Sequence, residues 1–205
     1  DNYHPSRNSA HPVSDVYRRP DLAAAMAQRL LRPGVLDEAL RSGLVISGLR
    51  RTGKTTFLVT DLIPALEADG AIVIYVDLWS DTLASPAMLV RDAIVRKLTE
   101  MQNPASAALA RLKRLSGAEV QAMGLKFGFK LDGLGKPGEA TLAQAITEVV
   151  DRTRTDVVLI VDEVQQAMAS DDGNRLLLAL KAARDAINPR PGTPGHFLFI
   201  GTGSH

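Results

Sequence analysis

Gly48-Leu49-Arg50-Arg51-Thr52-Gly53-Lys54-Thr55 is the stretch on which the reading of this chain turns. It fits the pattern G-x-x-x-x-G-K-[ST] at every fixed position. The apolar run Leu44-Val45-Ile46 stands before it, of buried-strand type, and a helical pattern from Thr55 to Ala68 follows. Gly48 and Gly53 permit backbone angles at which successive amide N–H groups turn inward around phosphate oxygens, and the helix beyond them points its positive end the same way. On this reading Gly48 through Thr56 form a phosphate cradle that includes Leu49, Thr52 and Thr56. Lys54 reaches the terminal phosphates and Thr55 turns its hydroxyl to Mg²⁺. Arg50 and Arg51 occupy variable positions, where they either neutralise phosphate charge or face solvent. The bland alternative for the whole stretch is a glycine turn carrying a surface lysine.

Working outward, the pattern predicts alternating strands and helices. Further short apolar runs lie at Ala71 to Val76, Val157 to Val161 and Phe197 to Ile200; the third is β-branched and continuous, as a central parallel strand buried on both faces requires. Helical spacing is read near 21–31, 36–40, 85–98, 105–115, 141–152 and 174–187, with Pro64 expected to kink the helix after the glycine-rich loop. The fold class that follows is α/β, three layers around a mainly parallel sheet. Residues 1–20, with Pro5, Pro12 and Pro20, read as an extended arm. Residues 21–205 read as one core, interrupted near 116–138 by a hairpin-like insertion in which Val120, Leu125, Phe127 and Phe129 alternate with small or polar residues.

The second half of a phosphate site belongs at the carboxyl edge of such a sheet. There the sequence places Asp162-Glu163, directly after its most strand-like run. Asp162 would hold Mg²⁺ through its water shell and Glu163 would polarise a water for in-line attack; an acidic loop after a core strand is the competing account. Gly201-Thr202-Gly203-Ser204 closes the fourth strand, with Thr202 as first choice and Ser204 as second for a hydroxyl that orients the water, against a plain glycine turn. Asp77 either assists that water or caps a helix. Trp79 reads as packing, and Gln165 as a partner that gates Glu163. The four histidines show no metal-ligand spacing.

Composition narrows the classes further. With 24 Lys plus Arg against 23 Asp plus Glu, no domain-wide basic field calls for non-specific nucleic-acid or anionic membrane binding. The absence of cysteine removes disulfides, thiolate zinc sites and thiol nucleophiles. No run of about 18 apolar residues exists, and the polar start lacks the apolar stretch of a secretory signal, so a soluble cytoplasmic protein without a membrane partner is expected.

Taken together, Gly48 to Thr56, Ile74-Tyr75-Val76-Asp77-Leu78-Trp79, Asp162-Glu163-Val164-Gln165 and Ile200 to Ser204 resemble the P-loop ATPases of the additional-strand, catalytic-glutamate division. Within it they look most like bacterial and archaeal AAA-type ATPases with an Asp-Glu-x-Gln second motif. The resemblance implies ATP as substrate, Mg²⁺ as cofactor, Lys54, Glu163 and Thr202 as the residues acting on the γ phosphate, and an adenine pocket near Val16-Tyr17-Arg18-Arg19. It implies hydrolysis coupled to a protein or nucleic-acid client that the sequence does not identify, and leaves oligomerisation open. A nucleotide-switched scaffold with little or no hydrolysis is the alternative reading; a small-molecule kinase ranks third, since no Arg-rich lid is present. The family's fifth strand and helical lid do not follow the fourth strand here, and the chain starts at Asp1, so a segment of a longer ATPase is expected.

Overall fold

The computed structural model describes residues 18–48, 53–103, 105–106, 110 and 142–204. The arm before residue 18, Leu49 to Thr52, most of the 105–115 stretch and the 116–138 insertion lie outside the described residues. Four parallel strands form one sheet in the order β1-β4-β3-β2, with β1 at Leu44–Gly48, β2 at Ile72–Asp77, β3 at Val157–Asp162 and β4 at Phe197–Ser204. Parallel neighbours need crossovers, and helices supply them on both faces. One face carries α1 (Pro20–Leu31) with α2 (Lys54–Phe57) and α3 (Ile63–Ala68); the other carries α4 (Pro86–Gln102), α5 (Leu142–Thr153), α6 (Gln165–Met168) and α7 (Asp171–Ile187). The expected three-layer α/β fold is what forms.

Strand burial follows position in the sheet. Every residue of β3 is buried, as a run of six apolar and acidic residues between two strands and two helix layers must be. β1 is an edge strand, as expected without a fifth strand beside it among the described residues, and Val45 stands 66% exposed where its apolar run alone reads as buried. β4 differs from expectation, because Gly201-Thr202-Gly203-Ser204 continues the strand and pairs with β1 from Val45 to Gly48, so the glycine-turn account of these residues fails.

The expected kink at Pro64 takes a specific form. The helix after the phosphate loop passes through one π turn, Leu58–Leu62, and resumes as α3 with Pro64 in its first turn. A regular helix would pair the Thr60 carbonyl with the N–H of residue 64, and proline has none. Arg18 Nη2 donates to that carbonyl instead at 3.1 Å. Beside it the Asp61 carboxylate accepts from Arg19 N at 2.8 Å and from Arg18 Nε at 2.5 Å. These bonds tie the entry of α1 to the helix of the phosphate loop. The Arg19 N–H, then the Arg18 guanidinium, hold the Asp61 carboxyl below its ordinary range against the opposing effect of burial.

At the amino edge of the sheet, His196 joins three elements. Its Nε2 accepts from Arg41 Nη1, its backbone N–H donates to Asp156 Oδ1 at 2.7 Å, and its Nδ1 lies 3.5 Å from the same oxygen. Arg184 on α7 donates to the carbonyl of Ser42 nearby, and Asn188 Nδ2 to that of Phe197 at 2.9 Å. Burial and then the Arg41 charge push the His196 pKa down, with Asp156 acting the other way. A folded-state pKa below the unfolded value of about 6.5 favours the neutral ring, so this contribution is complete above that pH and is lost as pH falls through the lowered folded value. Thermal melts from about pH 7.5 to about pH 5 should therefore show a decline of a few degrees that His196→Gln flattens.

Candidate active site

Because all four strands point the same way, their carboxyl ends gather the candidate residues at one edge. Gly53, the residue before α2, has φ of +78°, a left-handed conformation that glycine adopts without strain, and an added Cβ there would meet nothing within 4 Å. Lys54 Nζ donates to the Gly48 carbonyl at 2.9 Å, closing the two described ends of the loop on each other. Leu49, Arg50, Arg51 and Thr52 lie outside the described residues, while Thr55 and Thr56 are exposed on α2.

Strand alternation explains which side chains meet. Val158, Ile160, Leu198 and Ile200 pack on the α1–α2 face, and Asp162, Thr202 and Tyr75 share their parity. Asp162 is 2% exposed, and its carboxylate accepts four hydrogen bonds. Thr55 Oγ1 donates to Oδ2 at 2.8 Å and the Tyr75 hydroxyl to the same oxygen at 2.9 Å. Thr202 Oγ1 and Glu163 N, the latter at 3.1 Å, donate to Oδ1. Burial, and then the adjoining Asp162 carboxylate, push the Tyr75 pKa far up, so its phenol stays a donor.

Glu163 takes the first position after β3 with φ of +59°, uncommon for a residue with a side chain and characteristic of functional sites. Its carboxylate is engaged on both oxygens. Ser204 Oγ lies 2.8 Å from Oε1 and 2.9 Å from Oε2, and Gln165 Nε2 donates to Oε2. Gly203 leaves room for this amide: a Cβ there would stand 3.1 Å from Gln165 Oε1. The geometry thus divides the two hydroxyls of β4, with fully buried Thr202 on Asp162 and Ser204 on Glu163. Asp77 caps a turn, its Oδ1 accepting from Trp79 N at 2.8 Å, and Trp79 is 44% exposed where sequence reasoning expected packing. Tyr75 is the site residue that sequence reasoning missed. The available signal was a polar-tipped residue two positions from the end of an apolar strand, on the parity of the phosphate-loop face.

A family model described as an AAA domain matches residues 38–204. The chain belongs to the AAA-domain family. The match agrees with the resemblance carried by the motifs and makes this a P-loop, nucleotide-binding ATPase-type domain. Among solved structures it is similar to the Aeropyrum pernix ORC2 protein, determined as ADPNP and ADP complexes, at a TM-score of 0.50 and 17% identity over 90% of this chain. At that identity the likeness concerns the fold, and this chain spans 40% of the ORC2 chain. No curated protein matches. Among the described residues, no helix is long and apolar enough to cross a membrane.

Beside the phosphate loop the AAA domain has a cavity of about 550 Å³, lined on one side by Arg19, Leu22 and Met26 and on the other by Ile46, Lys54 and Phe57. Arg18 and Arg19 are the described part of the Val16 to Arg19 stretch, and Arg19 lines the cavity. Its backbone is held by Asp61, so the α1 entry that lines this cavity moves with the phosphate-loop helix.

Proposed function

We propose that this AAA domain binds ATP with Mg²⁺ and hydrolyses it to ADP and phosphate, coupling the cycle to a partner of another kind. The observation that carries the reading is the direct 2.8 Å bond between Thr55 and Asp162, with Glu163 next to it at the same strand end. The residues fit Mg²⁺, which keeps several waters and takes one or two protein oxygens. Thr55 and Asp162 would hold it, the first directly and the second through water, and the bound ion would offset charge on the β and γ phosphates. Gly48, Gly53, Lys54, Thr55 and Thr56, with Leu49 to Thr52 between them, would cradle the phosphates, and Lys54 would exchange the Gly48 carbonyl for phosphate oxygens. In the reaction a water oxygen attacks the γ phosphorus in line, the bond to the bridging oxygen breaks, ADP leaves with that electron pair, and Glu163 accepts the proton of the water. Thr202 holds the Asp162 carboxylate in place and Ser204 orients Glu163. Adenine as the base agrees with the ADPNP and ADP complexes of ORC2. An ATP-using domain without cysteine suits the cytoplasm. Calorimetric titration with ATP, with and without Mg²⁺, and measurement of phosphate release test the reading; absence of Mg²⁺-dependent ATP binding would refute it.

One observation favours the nucleotide-switched scaffold as a second reading. With Ser204 and Gln165 on both oxygens of Glu163, this conformation occupies the base that should receive a proton. If that latch limits the rate, Ser204→Ala should raise single-turnover hydrolysis severalfold; a fall in rate would instead assign Ser204 to orienting the base productively.

A further inference from the structure

We propose that Tyr75 is a positioning residue for the metal site: its hydroxyl pins one side of Asp162 Oδ2 and so holds that carboxylate facing Thr55 and the phosphate loop, where the water shell of a metal would meet it. The inference rests on the Mg²⁺-ATP reading above and extends it to a residue of the Ile74–Trp79 stretch to which sequence reasoning gave no role.

Tyr75 pairs with Ile160 on β3, and Asp162 lies two residues further along the same strand and face. Such diagonal neighbours are within reach of a long aromatic side chain and beyond that of a short one. The ring packs against the α1–α2 core and its hydroxyl ends 2.9 Å from Asp162 Oδ2.

A carboxylate offers about four acceptor positions. Here four donors take them, two on each oxygen: Thr202 and Glu163 N on Oδ1, Thr55 and Tyr75 on Oδ2. Of these only Thr55 has a second task, since its oxygen is the one that faces a cation in the phosphate loop. A hydroxyl has one O–H and two lone pairs, so Thr55 can turn a lone pair to the metal whether or not its proton stays on Oδ2, and in either case Tyr75 holds the other position on that oxygen. The carboxylate is thereby kept facing Thr55 and the phosphate loop. Without the phenol, Oδ2 loses one of its two donors and is held by Thr55 alone. Outer hydrogen-bond partners of this kind typically carry a ten- to hundredfold share of metal affinity.

The test uses Tyr75→Phe, which keeps the ring and removes the hydroxyl, with N-methylanthraniloyl-ADP as a fluorescent probe titrated in EDTA and then across Mg²⁺ concentrations. The expected result is about a tenfold rise in the Mg²⁺ needed for half-saturation, with probe affinity in EDTA and the melting temperature in EDTA unchanged. Equal Mg²⁺ dependence in Tyr75→Phe and the parent overturns the inference. An equal loss of affinity in EDTA and in Mg²⁺, or a lowered melting temperature with an unchanged Mg²⁺ half-saturation, assigns Tyr75 to the core and also overturns it. A parent protein indifferent to Mg²⁺ removes the underlying reading, and that outcome is visible before the variant is compared.

Discussion

Glu163→Gln should cut ATP turnover by about a thousandfold while leaving ATP affinity unchanged, the loss expected when a positioned general base can no longer take a proton. Glutamine matches glutamate in shape, and its amide oxygen can still accept from Ser204. The contact with Gln165 survives if one of the two amides flips, because each carries a donor and an acceptor. The left-handed backbone at this residue is indifferent to the change. Phosphate release and calorimetry on the same preparation separate the two quantities. A variant that turns over as fast as the parent would leave the scaffold reading in possession.

Asp162→Asn should fold and yet lose about a hundredfold in Mg²⁺-dependent activity. The reason lies in which of the four donors can reverse. The N–H of Glu163 cannot become an acceptor, so the amide oxygen of asparagine must face Glu163 and Thr202. The amide nitrogen then faces Thr55 and Tyr75, whose hydroxyls can rotate to accept. Every buried polar group keeps a partner, and the fold should hold. What disappears is the acceptor on the metal side: a donor now points where a metal-bound water would need an oxygen. Melting curves that match the parent, together with ATP binding that no longer tightens with Mg²⁺, are the expected pair of results; unchanged Mg²⁺ dependence would show that Asp162 is not the metal-side carboxylate.

Much of this architecture was legible because local chemistry and global fold agree. The glycine pattern at Gly48 and Gly53, the β-branched run ending in Asp162, and the helical spacing over 85–98 each carry their own explanation in the sequence. Other features depend on neighbours that composition does not reveal. Leu44-Val45-Ile46 looks like any buried strand, and only the sheet order shows that Val45 faces outward. The division of labour between Thr202 and Ser204 is a matter of strand parity, which becomes readable once β4 is known to continue past its glycines. Tyr75 and Asp61 escaped notice as functional residues because their partners lie far along the chain, and local spacing assigns neither a role.

The π turn at Leu58–Leu62 gives the chain a form of bookkeeping across distance. It adds a residue to the helix, Pro64 withholds an amide, and Arg18, more than forty positions upstream, takes up the carbonyl that results. These three details meet at one place in the structure. A descendant that lost the extra residue or exchanged the proline would regain an ordinary helix and would leave its arginine with a single acceptor, Asp61. Arg18, Pro64 and the length of the segment between Lys54 and β2 are therefore expected to change together from one lineage to the next. A shortened helix would then announce, in sequence alone, that α1 docks differently over the cavity beside the phosphate loop.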